Sequence, residues 1–115
     1  GLNVGDNCVI CDDTMIDLAD RVCIEDNVTI AQRVLILTHM NVGYRDHPLQ
    51  QYFHSMAEPV HLQAGTFVGA NATILCGVTI GEGCFIAAGA VVTGPIEAHA
   101  LAGGVPARVI RKLER

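Results

Sequence analysis

The histidines of this chain are concentrated in one stretch of the sequence. Residues 37–61, LTHMNVGYRDHPLQQYFHSMAEPVH, hold four of the five histidines and three of the five aromatic residues. An imidazole changes its charge near neutral pH and therefore suits proton transfer, and its neutral form also binds zinc. Disordered segments are poor in aromatic residues, and a loop this long within a compact domain is usually functional. We therefore expect an ordered loop beside a site, with candidate residues His39, His47, His54 and His61.

The cysteines and the net charge limit the classes of function. The five cysteines are odd in number and irregularly spaced, and Cys8 and Cys11 form a lone CxxC motif without a second pair to complete a zinc site. Such cysteine usage is typical of a reducing compartment, and no signal peptide or membrane-spanning apolar stretch is evident. A net charge of −5 argues against nucleic-acid binding. We expect a cytoplasmic protein with no nucleic-acid partner, no membrane partner and no metal cofactor.

A six-residue repeat in the sequence predicts the secondary structure that positions these histidines. In the second half of the chain an aliphatic residue returns at every sixth position, and the fifth place of each six is small or β-branched. The first half keeps the same period, with one slip of two residues before Leu18. Two positions in every six therefore point inward and stack on themselves. The predicted anchors are Val4, Ile10, Leu18, Ile24, Ile30, Ile36, Leu62, Val68, Ile74, Ile80, Ile86 and Val92.

The fourth place of each six indicates how the chain turns. It is occupied by residue types that tolerate a positive φ, and such residues form sharp corners between short strands. Three hexads close a triangular coil of about eighteen residues, and successive coils pair as parallel strands roughly 4.8 Å apart. The sequence therefore predicts an all-β fold, a parallel β-helix with coils over 1–36 and 62–97, an inserted loop over 37–61 and a cap over 98–115, in one domain over 1–115. The predicted corner residues are Asn7, Asp13, Asn27, Gly65, Asn71, Gly77, Gly83 and Gly89.

The hexads, the histidine-bearing loop and the ending AGGVPARVIRKL together resemble a known family. They are similar to the hexapeptide-repeat acyltransferases, in the branch of the galactoside, maltose and serine acetyltransferases and the polysaccharide O-acetyltransferases. The resemblance implies a left-handed β-helix, a homotrimer with active sites at the subunit interfaces, and acetyl-CoA as the co-substrate. It also implies direct transfer of the acetyl group to a small acceptor, for which a sugar hydroxyl is the leading class.

The resemblance implies a catalytic histidine directly after the last hexad before the loop. His39 occupies that place, three residues after the hexad anchor Ile36, and His47 in the sequence RDHP is the alternative. A histidine in this role takes the proton of the acceptor hydroxyl and returns it to the departing thiolate. Asp13, with Asp12 beside it, corresponds to an acceptor-binding corner of the family. His54 and His61 are expected to be merely exposed.

The resemblance also assigns residues to the binding of acetyl-CoA. Small residues along the coils match the family's contacts with the coenzyme, and Phe67 stands where the family often has a tryptophan. Arg108 matches an arginine that meets a phosphate group, for which a guanidinium is well suited. The family's T-K-D-I reads Thr93-Gly94-Pro95-Ile96 here, so the customary lysine is missing. The residues assigned to the coenzyme are Phe67, Ala70, Ala88, Thr93, Arg108, Arg111 and Lys112.

Two other functions are compatible with a β-helix. A γ-type carbonic anhydrase needs three histidine ligands around zinc, two of them five positions apart, whereas the histidines here are spaced eight, seven, seven and thirty-eight residues apart. A non-catalytic scaffold would have no reason to keep a histidine-rich loop. Both are therefore weaker interpretations than an O-acetyltransferase.

Overall fold

Each six-residue unit forms one short strand and one turn, as the repeat predicts. The computed structural model describes residues 1–114. In a typical unit Val22 and Ile24 point inward and are buried, Cys23 between them points outward, and a three-residue corner follows. The inward residues of successive coils stack in register, as in the column formed by Ile36 and Ile74. The expected parallel β-helix is therefore confirmed.

Residues 1–114 contain sixteen strands and one short 3-10 helix. The strands are β1 (Leu2–Val4), β2 (Val9–Ile10), β3 (Met15–Ile16), β4 (Val22–Ile24), β5 (Thr29–Ile30), β6 (Leu35–Ile36), β7 (His39–Met40), β8 (Met56–Ala57), β9 (Val60–Leu62), β10 (Phe67–Val68), β11 (Thr73–Ile74), β12 (Thr79–Ile80), β13 (Phe85–Ile86), β14 (Val91–Val92), β15 (Ala100–Gly103) and β16 (Arg108–Lys112). The 3-10 helix covers Pro48–Gln51, between β7 and β8. No helix in residues 1–114 is long and apolar enough to cross a membrane.

Three sheets form the faces of a triangular prism. Sheet A has the strand order β1-β4-β9-β12, sheet B has β16-β15-β13-β10-β5-β2, and sheet C has β14-β11-β6-β3. The chain runs from A to B to C and back to A, so we name the prism edges by the sheets they join. The B–C edge contains residues 11–14, 31–34, 69–72 and 87–90. The C–A edge contains residues 17–21, 37–59, 75–78 and 93–95.

The corners turn through the left-handed region of backbone conformation. All eight predicted corner residues have a positive φ, between 59° at Asn7 and 81° at Gly77. Arg33 and His99 also adopt a positive φ, at 60° and 57°, although their residue types gave no indication of it. The geometry of the helix imposes this conformation at every corner of this kind, whatever residue stands there.

The predicted anchor Leu18 is wrong. Leu18 is 47% exposed, and the inward residue of that unit is Ile16, which pairs with Ile36. The two extra residues therefore follow Ile16 and lengthen the corner at residues 17–21. This corner belongs to the C–A edge, where the inserted loop also leaves the helix.

The predicted boundaries of the loop and of the cap also shift. Thr38 is fully buried within the coil, and Val60 and Leu62 already belong to sheet A. The excursion is thus shorter than 37–61, and it begins and ends with the antiparallel pair β7–β8. At the other end β15 continues sheet B beside β13, so only β16, which folds back antiparallel on β15, forms the cap. The last residue of the predicted cap, 115, lies outside the described residues.

Candidate active site

The first residue of the inserted loop faces an open cleft. His39 begins β7, and its backbone is paired with Ala57 of β8. Its side chain is 49% exposed and lines a cleft of about 380 Å³ at the C–A edge. The cleft is otherwise formed by small, polar and thioether side chains, namely Ala19, Met40, Asn41, Ser55, Met56 and Ala57. A solvent-borne reactant can therefore reach the imidazole directly.

A carboxylate fixes the orientation of this imidazole. The Nδ1 atom of His39 lies 2.5 Å from the Oδ2 atom of Asp17, and the Asp17 side chain is only 17% exposed. An ionised carboxylate only accepts hydrogen bonds, so Nδ1 carries the hydrogen. In the neutral ring the lone pair is then on Nε2, which is the form that a general base needs.

Backbone N–H groups hold Asp17 in its ionised form. Oδ2 accepts a hydrogen bond from the backbone N–H of Thr38, and Oδ1 accepts one from Ala19, each at 3.0 Å. The N–H of Thr38, the contact with His39 and the N–H of Ala19 lower the pKa of Asp17 from 3.8 to about 2, against a smaller opposite effect of partial burial. Asp17 therefore stays negatively charged through the neutral pH range.

A buried hydroxyl connects the lengthened corner to the start of the loop. The Oγ1 atom of Thr38 donates to the carbonyl oxygen of Asp17 and accepts from the N–H of Asp20, each at 2.9 Å. Thr38 is fully buried, and its own carbonyl accepts from the N–H of Glu58 at the end of the loop. Three chain segments, the lengthened corner and both ends of the loop, are thus joined at one residue next to His39.

The sequence did not identify Asp17, and the acidic residues it favoured lie elsewhere. Asp12 and Asp13 lie on the B–C edge, where Asp13 forms a positive-φ corner and the carbonyl of Asp12 accepts from the N–H of Arg33. Within one chain they are on a different prism edge from His39. The slip of two residues in the repeat could have pointed to Asp17. Extra residues must lengthen a corner at an edge of the prism, and Asp17 is the first residue of the lengthened corner.

The other three loop histidines differ from one another in structure. His47 caps the 3-10 helix, and its Nδ1 atom accepts the N–H of Leu49 at 3.1 Å. The neutral ring of His47 therefore carries its hydrogen on Nε2 and has no free lone pair. His54 is exposed, as expected. For His61 that expectation is wrong, because it lies in β9, only partly exposed, and its Nε2 atom is hydrogen-bonded to Glu25.

The residues assigned to the coenzyme separate into distinct groups. Thr93 and Arg108 line a common cleft of about 200 Å³ at the C–A edge. Thr93 follows β14, two strands along sheet C from the β6 strand that precedes His39, so these sites are about 10 Å apart along the helix axis. Lys112 is already paired with Glu97, Nζ to Oε2, at 2.8 Å, and Arg111 precedes it in β16.

The remaining coenzyme candidates lie away from the C–A edge. Ala70 and Ala88 occupy neighbouring coils on the B–C edge, where the carbonyl of Ala70 accepts from the N–H of Gly89. Phe67 lies on the outer face of sheet B and stacks on Phe85, with ring centroids 4.7 Å apart. Within one chain the structure therefore places Thr93 on the same edge as His39, with Arg108 of β16 in a cleft shared with Thr93, and Phe67, Ala70 and Ala88 around the B–C edge.

The structure offers no metal ligand set among residues 1–114. No three side chains of histidine, cysteine, aspartate or glutamate come together there in a way that could hold a metal ion. A γ-type carbonic anhydrase needs three histidines at one ion, and no such group is found among residues 1–114 of a single chain.

The ionised state of Asp17 makes a testable prediction about stability and pH. A carboxyl whose pKa is lower in the folded than in the unfolded state stabilises the fold above about pH 4, and this contribution is lost as the pH falls through about 2. We expect Asp17→Asn to lower the urea midpoint at neutral pH. The difference from the wild type should shrink between about pH 4 and pH 2, as followed by circular dichroism. A difference that stays constant over that interval would contradict a role for the Asp17 charge.

Comparisons with known proteins agree with this architecture. The model of the bacterial transferase hexapeptide (six repeats) matches residues 59–94. A proposed acetyltransferase of Staphylococcus aureus (strain Mu50) is 44% identical over 72 residues, which cover 59% of this chain and 36% of that protein. The chain therefore spans well under two thirds of the length of this relative.

Two solved structures share the fold over nearly the whole chain. A hexapeptide-repeat acetyltransferase from Vibrio cholerae, in complex with acetyl coenzyme A, superposes with a TM-score of 0.88 at 27% identity, covering 99% of this chain and 61% of that chain. A maltose O-acetyltransferase from Clostridium difficile 630 also gives a TM-score of 0.88, at 32% identity, covering 99% of this chain and 60% of that chain. The matching repeats and the shared fold show a left-handed parallel β-helix of hexapeptide repeats, similar to that of the hexapeptide-repeat acetyltransferases.

Proposed function

We propose that this chain is an acetyl-CoA-dependent O-acetyltransferase that uses His39 as its general base. The observation that carries the proposal is the pairing of His39 Nδ1 with Asp17 in an open cleft, which leaves Nε2 free to accept a proton. Acetyl-CoA as the co-substrate is supported by the complex of the Vibrio relative. A sugar hydroxyl as the acceptor is supported by the Clostridium maltose enzyme.

The reaction requires one proton to move twice. Nε2 of His39 takes the proton of the acceptor hydroxyl as its oxygen attacks the thioester carbonyl, and a tetrahedral intermediate forms. As the carbon–sulfur bond breaks, the imidazolium returns the proton to the departing sulfur, giving the ester and free CoA. Asp17 stabilises the imidazolium between these steps and keeps the ring in one orientation, so it is a positioning residue.

An oligomer would complete the site. The proposed coenzyme residues form two separate groups, with Thr93 and Arg108 in a cleft that reaches the C–A edge and Ala70 and Ala88 on the B–C edge. One molecule of acetyl-CoA can contact both groups if the B–C edge of one subunit lies beside the C–A edge of the next. This supports a homotrimer with shared sites. A cytoplasmic location is proposed with it, since all five cysteines are free thiols.

The principal prediction concerns the rate of transfer. His39→Ala should lower kcat by about 10² to 10⁴, the usual contribution of general-base catalysis, and leave CoA affinity nearly unchanged. The measurement is release of free thiol from acetyl-CoA in the presence of a sugar acceptor, alongside calorimetric titration with CoA. His54→Ala, in the same loop, serves as the matched control and should keep its activity. If His47→Ala loses turnover and His39→Ala keeps it, the base is His47.

Arg108 should contribute to coenzyme binding and not to the chemical step. Removing a charge-assisted hydrogen bond to phosphate costs about tenfold or more in affinity. Arg108→Ala should therefore raise the dissociation constant of CoA by about that factor, while kcat at saturating acetyl-CoA stays close to wild type. Arg45→Ala, in the exposed loop, is the charge-matched control. An unchanged CoA affinity in Arg108→Ala would remove Arg108 from the site.

The assembly is tested by mass in solution. Light scattering should give about three times the 12.2 kDa mass of the chain. A fully active monomer would show that the two groups of residues do not combine across an interface.

A further inference from the structure

A second and larger cleft lies on sheet A, next to the C–A edge. Its volume is about 670 Å³, compared with about 380 Å³ for the cleft at His39. The floor consists of one outward-facing residue from each of the four strands, in register from coil to coil. These floor residues are Asn3, Cys23, His61 and Thr79, and the side walls include Arg21, Glu58 and Pro59.

The floor of this cleft differs in chemistry from the other two faces of the prism. Every floor residue of sheet A carries a polar or thiol group. The corresponding outward columns of sheets B and C are mainly apolar, with Val9, Thr29, Phe67, Phe85 and Leu101 on B and Met15, Leu35, Thr73 and Val91 on C. An apolar ligand on sheet A would remove these polar groups from water without replacing their hydrogen bonds. The cleft therefore suits a ligand rich in hydroxyl groups.

The two clefts are lined by residues that are close neighbours in the chain at the C–A edge. Ala19 and Ala57 line the cleft at His39, whereas Arg21 and Glu58, two residues and one residue further on, line the cleft on sheet A. The backbone on both sides is fixed, because the carbonyl of Arg21 accepts from the N–H of Val60 at 3.0 Å. A ligand with one unit at His39 can therefore place its next units on sheet A.

Two opposite charges stand at the junction of the clefts. Neither Arg21 nor Glu58 forms an ion pair within residues 1–114. The carboxylate of Glu58 lies over Gly77, where a Cβ atom would collide with it. Sugar hydroxyls both donate and accept hydrogen bonds, so one neutral sugar ring can satisfy a guanidinium and a carboxylate together.

We propose that the cleft on sheet A is an acceptor subsite that binds the sugar units next to the one acetylated at His39. The acceptor is thus an uncharged oligosaccharide and not a single sugar. This inference rests on the proposed acetyltransferase function, and it assigns a specificity role to Arg21 and to the floor of sheet A.

The test compares trisaccharides with their monosaccharides. Maltotriose with glucose, chitotriose with N-acetylglucosamine, and trigalacturonic acid with galacturonic acid are titrated by ligand-observed NMR against the CoA-saturated protein. At least one neutral trisaccharide should bind about tenfold more tightly than its monosaccharide, as two or so additional hydrogen bonds would give. Thr79→Phe, which fills the cleft, and Arg21→Ala should each reduce this advantage to less than about twofold. Thr29→Phe, the same substitution on sheet B, should retain it.

The possible outcomes separate the inference from the proposed function. If no neutral trisaccharide binds better than its monosaccharide, or if the advantage survives either Thr79→Phe or Arg21→Ala, the inference is overturned. A gain only for trigalacturonic acid, lost at high salt, would assign the cleft to an anionic ligand and also overturn it. Absence of CoA binding or of acetyl transfer in the wild type would instead count against the proposed function. CoA affinity of each variant verifies that it is folded.

Discussion

The stacking of inward side chains, coil upon coil, is the constraint on which the rest of this structure depends. Each unit contributes two inward residues, and in the middle coils these are fully buried, as Val34 and Ile36 are. Burial of one such side chain stabilises the fold by about 1.5–3 kcal/mol, whereas an exposed ion pair such as Lys112–Glu97 contributes about 0–1 kcal/mol. Any irregularity in the chain must therefore leave the columns intact, and only the edges allow this.

Both irregularities of the sequence use the same edge. The two extra residues after Ile16 lengthen the C–A edge in the first coil, and the inserted loop leaves the second coil at the same edge. Thr38 lies between them, and its buried hydroxyl and N–H bind the lengthened corner. The carboxylate of Asp17 thereby comes to the Nδ1 atom of His39, although the two residues are 22 positions apart.

The sequence predicts the six-residue repeat well, but it does not locate the two extra residues correctly, for a physical reason. Anchors such as Ile30 and Ile74 and corners such as Asn27 and Gly65 follow from residue type at a fixed spacing. A slip of two residues preserves the alternation of inward and outward side chains, so periodicity alone cannot distinguish Ile16 from Leu18 as the anchor. Pairing with Ile36 decides between them. His39 was a candidate because the resemblance to the family points to the histidine after the last hexad before the loop, whereas Asp17 depended on that pairing.

The lengthened corner and the inserted loop both lie at the C–A edge, and this explains why the candidate active-site side chains lie there too. At the other two edges, three-residue corners with a positive φ recur in coil after coil, and this conformation favours glycine, asparagine and aspartate. The longer side chains of His39 and Glu58 lie instead at the start and the end of the inserted loop, where the chain departs from the six-residue repeat. The loop and the lengthened corner thus add His39, Asp17 and Glu58 to a frame whose other two edges consist mainly of short corners. A function of this fold is therefore expected along the C–A edge, where the cleft at His39 lies and which the cleft on sheet A adjoins.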